Sequence, residues 1–102
     1  MSISKLDIKR ASIIKFNLKG EIVEGIVLNK SKLNGNICLV IPFDQEENSS
    51  LNSKLTIRNK SLNCKNILTV SYMSIISSED MISDNDINKI DAIVKRTFKL
   101  KY

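Results

Sequence analysis

The most constraining feature of this chain is a change of hydrophobic period near Ser83. Upstream, apolar residues come in short runs broken by turn residues; downstream, Ile87, Ile90, Ile93, Val94 and Phe98 recur at steps of three and four. The first pattern suits strands and the second suits one face of an amphipathic helix. A helix with one apolar stripe has to bury it against another element, here the sheet that precedes it. The pattern therefore predicts a mainly β fold, a small, strongly twisted antiparallel sheet or partly open barrel covered by a single C-terminal α-helix. The 102 residues suffice for one such domain over residues 1–102, because domains typically contain about 100–150 residues.

The strands can be placed one by one. Ser12 to Leu18 alternates at Phe16 and Leu18, and Lys19-Gly20 turns the chain into a second strand over Glu21 to Asn29. Gly25, in the middle of that strand, predicts a bulge or a close backbone approach. Asn34-Gly35 is a hairpin signal, since both residues tolerate the positive φ of a type I′ turn. Ile37 to Ile41 reads as a strand buried on both faces, ended by Pro42, which has no N–H to donate. Asp44 to Ser53 is polar and reads as a long exposed loop. Leu55-Thr56-Ile57 and Ile67 to Tyr72 are further strands, with Asn59 to Lys65 as their connector, and Met73 to Ser78 fits no single pattern. Ser83 or Asp84 caps the helix, with Asp84 and Asp86 at its positive end and Lys95, Arg96, Lys99 and Lys101 at its negative end.

Composition excludes several chemistries. There is no His, so Ser-His and Cys-His nucleophiles and His-based metal sites are ruled out. Cys38 and Cys64 form no CxxC motif and sit singly in apolar surroundings, the habit of buried free thiols in a reducing compartment. The first residues lack the apolar core of a signal peptide, and no stretch approaches the about 20 apolar residues of a membrane span, so a soluble cytoplasmic protein without membrane association is expected. Sixteen Lys and Arg against 11 Asp and Glu give a formal charge of +5, which favours polyanionic partners.

Few constellations carry chemistry. Glu46-Glu47 and Glu79-Asp80 read as solvated surface pairs, and Asp84-Asn85-Asp86 lacks the Gly and the distant Glu of a calcium loop. Three glycines cannot build a phosphate-cradling loop, so neither a metal nor another cofactor is expected. The basic residues form two groups, Lys30 and Lys32 flanking Ser31, and Lys54, Arg58, Lys60 and Lys65, which a sheet could present together to a phosphate backbone. The same lysines on edges and turns also suppress aggregation. Phe43 and Tyr72 are the aromatic residues available for stacking on bases, although aromatic side chains commonly pack in cores.

The segment Ile75-Ile76-Ser77-Ser78-Glu79-Asp80-Met81-Ile82-Ser83-Asp84-Asn85-Asp86, followed by the helix to Leu100, resembles the ending of MazF/PemK toxins, in which a strand and short turn lead into a Leu-Ser-Asp-x-Asp helix start. The upstream order agrees, with Ala11 to Phe16, Gly25 to Asn29 and Cys38 to Phe43 as the first three strands, so the resemblance spans roughly residues 10 to 100. It implies an SH3-like barrel that is a homodimer, cleaves single-stranded RNA without a metal, and is neutralised by an antitoxin partner. Such chemistry needs no His, because an Arg and a hydroxyl suffice to activate a ribose 2′-OH and to stabilise phosphorane charge.

The family's functional positions hold other residues here. Where the family places an Arg-Pro pair, this chain has Val23-Glu24; where it places a Thr or Ser after the third strand, Asp44 stands; and a further family Arg is matched by Ser74. The catalytic residues are therefore unassigned. The RNA-binding candidates are Lys30, Ser31, Lys32, Lys54, Arg58, Phe43 and Tyr72, with Arg58, or Lys30 with Ser31, able to supply a rebuilt site. The alternative to a toxin-like endoribonuclease is a non-catalytic module that binds nucleic acid or a protein on the same barrel.

Overall fold

Most apolar runs of the sequence become strands. The computed structural model describes residues 8–29, 36–43, 54–64 and 66–98. In these the order is β1 (Ser12–Leu18), β2 (Glu21–Val27), β3 (Ile37–Pro42), β4 (Lys54–Ile57), β5 (Lys60–Asn63), β6 (Leu68–Ser71), a 3₁₀ turn (Tyr72–Ser74), β7 (Ile75–Met81) and α1 (Asp84–Phe98). The fold is mainly β and antiparallel with one C-terminal helix, as the change of period predicts. Five strands form a sheet in the order β6-β3-β2-β1-β7, and β4 pairs with β5 in a separate hairpin. The Asn34-Gly35 turn, the loop from Asp44 to Ser53, and Lys65 lie outside the described residues.

Two hairpins turn in two residues. Lys19 and Gly20 have φ of 52° and 86°, and the side chain of Asn17 accepts a hydrogen bond from the Gly20 amide at 3.0 Å. Arg58 and Asn59 have φ of 53° and 63°, which makes a hairpin out of Leu55 to Asn63 and corrects the reading of Asn59 to Lys65 as a connector. The strand was hidden for two reasons. Lys60-Ser61-Leu62-Asn63 contains one apolar residue, and Arg-Asn lacks the glycine that normally marks a turn with two positive φ angles. β2 also stops at Val27 rather than Asn29, although the Leu28 amide still donates to the Leu39 carbonyl at 2.9 Å.

The sheet has to curl. β6 and β7 lie at its opposite edges, yet only the turn at Tyr72–Ser74 separates them. Four residue steps from Ser71 to Ile75 span at most roughly 14 Å, whereas four strand spacings in a flat sheet would put those edges about 19 Å apart. The concave side is filled by Ile14, Phe16, Val27, Cys38, Val40, Val70 and Ile75. The result is a partly open barrel, with no ladder between β6 and β7 among the described residues.

The other side of the sheet carries the helix. Ile13, Ile26, Leu28 and Ile41 pack with Ile87, Ile90 and Val94 of α1 and with Ile57 and Leu62 of the β4–β5 hairpin. The Ser83 hydroxyl caps α1 by accepting from the Asp86 amide at 3.1 Å. Arg10 forms an ion pair with Asp91 of α1 and donates to the Leu28 carbonyl at 2.8 Å, so the helix is tied to the chain that enters β1. Cys38 and Cys64 are buried free thiols, as their apolar neighbours predict, and burial pushes each up to about 11.

Gly25 marks a close approach rather than a bulge. A Cβ there would lie 2.6 Å from Val40 Cγ1 and 2.8 Å from the Ile41 carbonyl oxygen. The bulges occur instead in the β1–β7 ladder, where Phe16, Lys15, Ile14 and Ile13 face Ile75, Ser77, Ser78 and Asp80. β7 thus spends an extra residue twice, at Ile76 and at Glu79.

Candidate functional site

Alternation along β1 buries Ile14 and Phe16 in the concave core and sends Lys15 to the same side as Ile13, beyond the end of the helix-covered area. The register then sets Lys15 opposite Glu24 on β2 and opposite Ser77 on β7. Three strands thereby present Glu24, Lys15 and Ser77 as one polar row. The bulge at Glu79 decides which acid joins it: an unbroken ladder would bring Glu79 opposite Ile13, and the extra residue brings Asp80 instead.

The β4–β5 hairpin closes over this row. Arg58 at its turn pairs with Asp80 and donates to the Met81 carbonyl at 2.7 Å, and Lys60 pairs with Glu24. Phe43 bridges to Leu62 and is 8% exposed, with the Lys60 ammonium 5.4 Å from its ring centroid. Together with Ile13 these residues enclose a cleft of about 310 Å³. The hydrogen bond from Arg58 holds the Asp80 carboxyl below its ordinary range, and the same bond raises the Arg58 guanidinium. The Asp80 carboxylate therefore remains charged at neutral pH. Lys15 lines the cleft and makes no ion pair among the described residues.

Of the sequence-predicted site residues, the structure brings Arg58 and Phe43 together in the cleft, with Lys60 from the same basic group. Tyr72 is half-buried against the concave core and is not part of the cleft lining. Lys30, Ser31, Lys32 and Asp44 lie outside the described residues, as does the side chain of Lys54. Val23 faces Phe16 across the ladder and packs on the concave core, so the position matched to the family's Arg points away from the cleft. Ser74 is in the 3₁₀ turn, also outside the cleft lining.

Lys15, Glu24, Ser77 and Asp80 escaped the sequence reading as site residues. The Lys15–Glu24 pair had a signal. A two-residue turn at Lys19-Gly20 sets Leu18 opposite Glu21, and counting back along both strands sets Lys15 opposite Glu24. Ser77 and Asp80 had none, because their placement depends on the two bulges. Among the described residues no group of three or more His, Cys, Asp or Glu could hold a metal ion. No described helix is long and apolar enough to cross a membrane.

The arrangement is a mixed-charge cleft on the polar end of a curled sheet, with cations able to bind phosphate, carboxylates able to accept a proton and a serine hydroxyl able to hydrogen-bond. The fold that carries it is similar to that of two solved endoribonucleases. A mycobacterial endoribonuclease in complex with its cognate antitoxin superimposes with a TM-score of 0.77, at 10% identity, over 93% of this chain and 98% of that one. A second mycobacterial endoribonuclease gives a TM-score of 0.76, at 10% identity, over 93% and 94% of the two chains. The MazF/PemK-like resemblance read from the helix entry and strand order is consistent with these neighbours. No protein-family model matches the sequence, and no curated protein matches it.

Proposed function

We propose that this chain is a toxin-like endoribonuclease module that acts on single-stranded RNA in the cytoplasm, functions as a homodimer and is restrained by an antitoxin-like protein partner. The observation that carries this reading is the superposition with endoribonucleases over nearly the whole of both chains. The cleft supplies groups that metal-independent RNA cleavage requires. Attack of a ribose 2′-OH on the adjacent phosphorus forms a 2′,3′-cyclic phosphate and breaks the bond from phosphorus to the 5′-oxygen. It needs an acceptor for the hydroxyl proton, return of a proton from that acceptor or from water to the departing 5′-oxygen, and positive charge beside the phosphorane oxygens. Glu24 and Asp80 are the acceptors in the cleft, and Lys15, Arg58 and Lys60 are the cations. Of the described positions matched to the family's, only Glu24 lies in this cleft, and the other groups come from Lys15, Arg58, Lys60 and Asp80.

The test is incubation of the purified protein with single-stranded RNA at near-neutral pH in the presence of EDTA. Cleavage that Glu24→Gln or Arg58→Ala abolishes supports the reading. An absence of product at large protein excess ends the enzymatic version.

A second reading, a non-catalytic RNA- or protein-binding module, is favoured by one observation: Arg58 and Lys60 are both already occupied by carboxylates. RNA that is bound at low salt and recovered intact would select it.

A further inference from the structure

The charge distribution inside the cleft is unusual for a surface that binds a polyanion. It holds three cations, Lys15, Arg58 and Lys60, and two carboxylates, Glu24 and Asp80. Each carboxylate is joined to a cation of the hairpin, Asp80 to Arg58 and Glu24 to Lys60. Lys15, the cation at the centre of the row, stands between Glu24 and Ser77 across the ladder, while Glu24 is engaged by Lys60. Arg58 holds its pairing position from the two-residue turn of the hairpin, with a φ of 53°.

We propose that the cleft binds one phosphodiester of RNA on Lys15 and Ser77, and that Asp80 and Glu24 act as built-in competitors, occupying Arg58 and Lys60 until the phosphate displaces them. This rests on the reading of the cleft as an RNA site and adds to it an anchor and an internal restraint. A phosphate seated on Lys15 also meets the hydroxyl of Ser77. When its charge draws Arg58 and Lys60 inward, the two carboxylates lose their partners and are left facing an anion, which opposes binding. Removing either carboxylate therefore strengthens binding, although each removal also takes away one of the two acceptors that cleavage uses.

The probe is a short oligouridylate made entirely with 2′-O-methyl ribose, which lacks the attacking hydroxyl, so that anisotropy titration at low salt reads binding without cleavage. Lys15→Ala is expected to weaken binding about tenfold and to make it less salt-dependent, with Lys15→Arg restoring most of the affinity. Asp80→Asn and Glu24→Gln are each expected to tighten binding at least about threefold. Glu21→Gln removes the same charge at the exposed end of β2, outside the cleft, and should change affinity by less. Unchanged binding in Lys15→Ala, or acid variants in the cleft no tighter than Glu21→Gln, overturns the proposal while the RNA reading stands. Wild-type protein that neither binds this probe nor cleaves ordinary RNA overturns both.

Discussion

Arg58, at the turn of the β4–β5 hairpin, reaches across the cleft to Asp80, which a bulge in β7 has turned toward it. Both side chains are exposed, and an exposed ion pair adds little to stability because water and salt screen it. Glycine in place of Arg58 relieves the positive φ while removing the pair and freeing the unfolded chain, effects that nearly cancel. Arg58→Gly is therefore expected to unfold in urea at nearly the wild-type midpoint. Its RNA affinity should fall sharply in the same preparation. A large stability loss would show that the hairpin depends on this pair.

Gly25 lies where β2 and β3 approach most closely. A Cβ 2.6 Å from Val40 Cγ1 and 2.8 Å from a backbone carbonyl cannot be accommodated by one rotamer change, because Ile41 presents main chain. Gly25→Ala should lower stability by about 1–3 kcal/mol, the usual range for overpacking. The shift in the urea midpoint checks this, and a neutral effect would mean that β3 can move away from β2.

The two buried thiols make stability depend on pH on the alkaline side. Burial raises Cys38 and Cys64 from 9.0 to about 11, so the unfolded chain releases these protons first as pH rises. The contribution is fully present below pH about 9 and is lost between there and about 11. Thermal midpoints should fall across that window, and replacing both residues with Ala should flatten the fall relative to neutral pH. Neither thiol should react with iodoacetamide in the native protein at pH 8, and both should react in urea.

The Arg10–Asp91 pair is the partly buried counterpart of Arg58–Asp80, with side chains 19% and 16% exposed. Arg10 also satisfies the Leu28 carbonyl. Asp91→Ala is expected to cost about 1.5–3 kcal/mol, the range for hydrogen bonds to charged groups, and to increase amide exchange in α1. A cost below that of an exposed pair would show that α1 is held by its apolar stripe alone.

The strands that sequence reading located are those in which an apolar run is bounded by a turn residue, such as β1 before Lys19-Gly20; β3 was located too, but it runs through Pro42 instead of ending there, with Pro42 opposite Gly25. β5 escaped because its contribution to the core is essentially Leu62, and a single buried residue has no period. The cleft was half legible. Arg58 stood out as a cation near a turn, and Phe43 as an aromatic at a strand end. Lys15 looked like the polar position of an alternating strand, which it is, and its function lies in what stands on either side of it.

The sequence by itself determined most of the strands, the C-terminal helix and its cap, the hairpin register that pairs Lys15 with Glu24, and the chemistries that the absence of His excludes. These follow from local periodicity, turn geometry and side-chain inventory. Only the tertiary structure decided that the sheet curls, since this follows from opposite edges being joined by one short turn. Only it decided that Asp80 faces the cleft and that the β4–β5 hairpin lies over Lys15. Bulges and the packing of distant hairpins depend on contacts between residues far apart in the chain, and no local pattern records them.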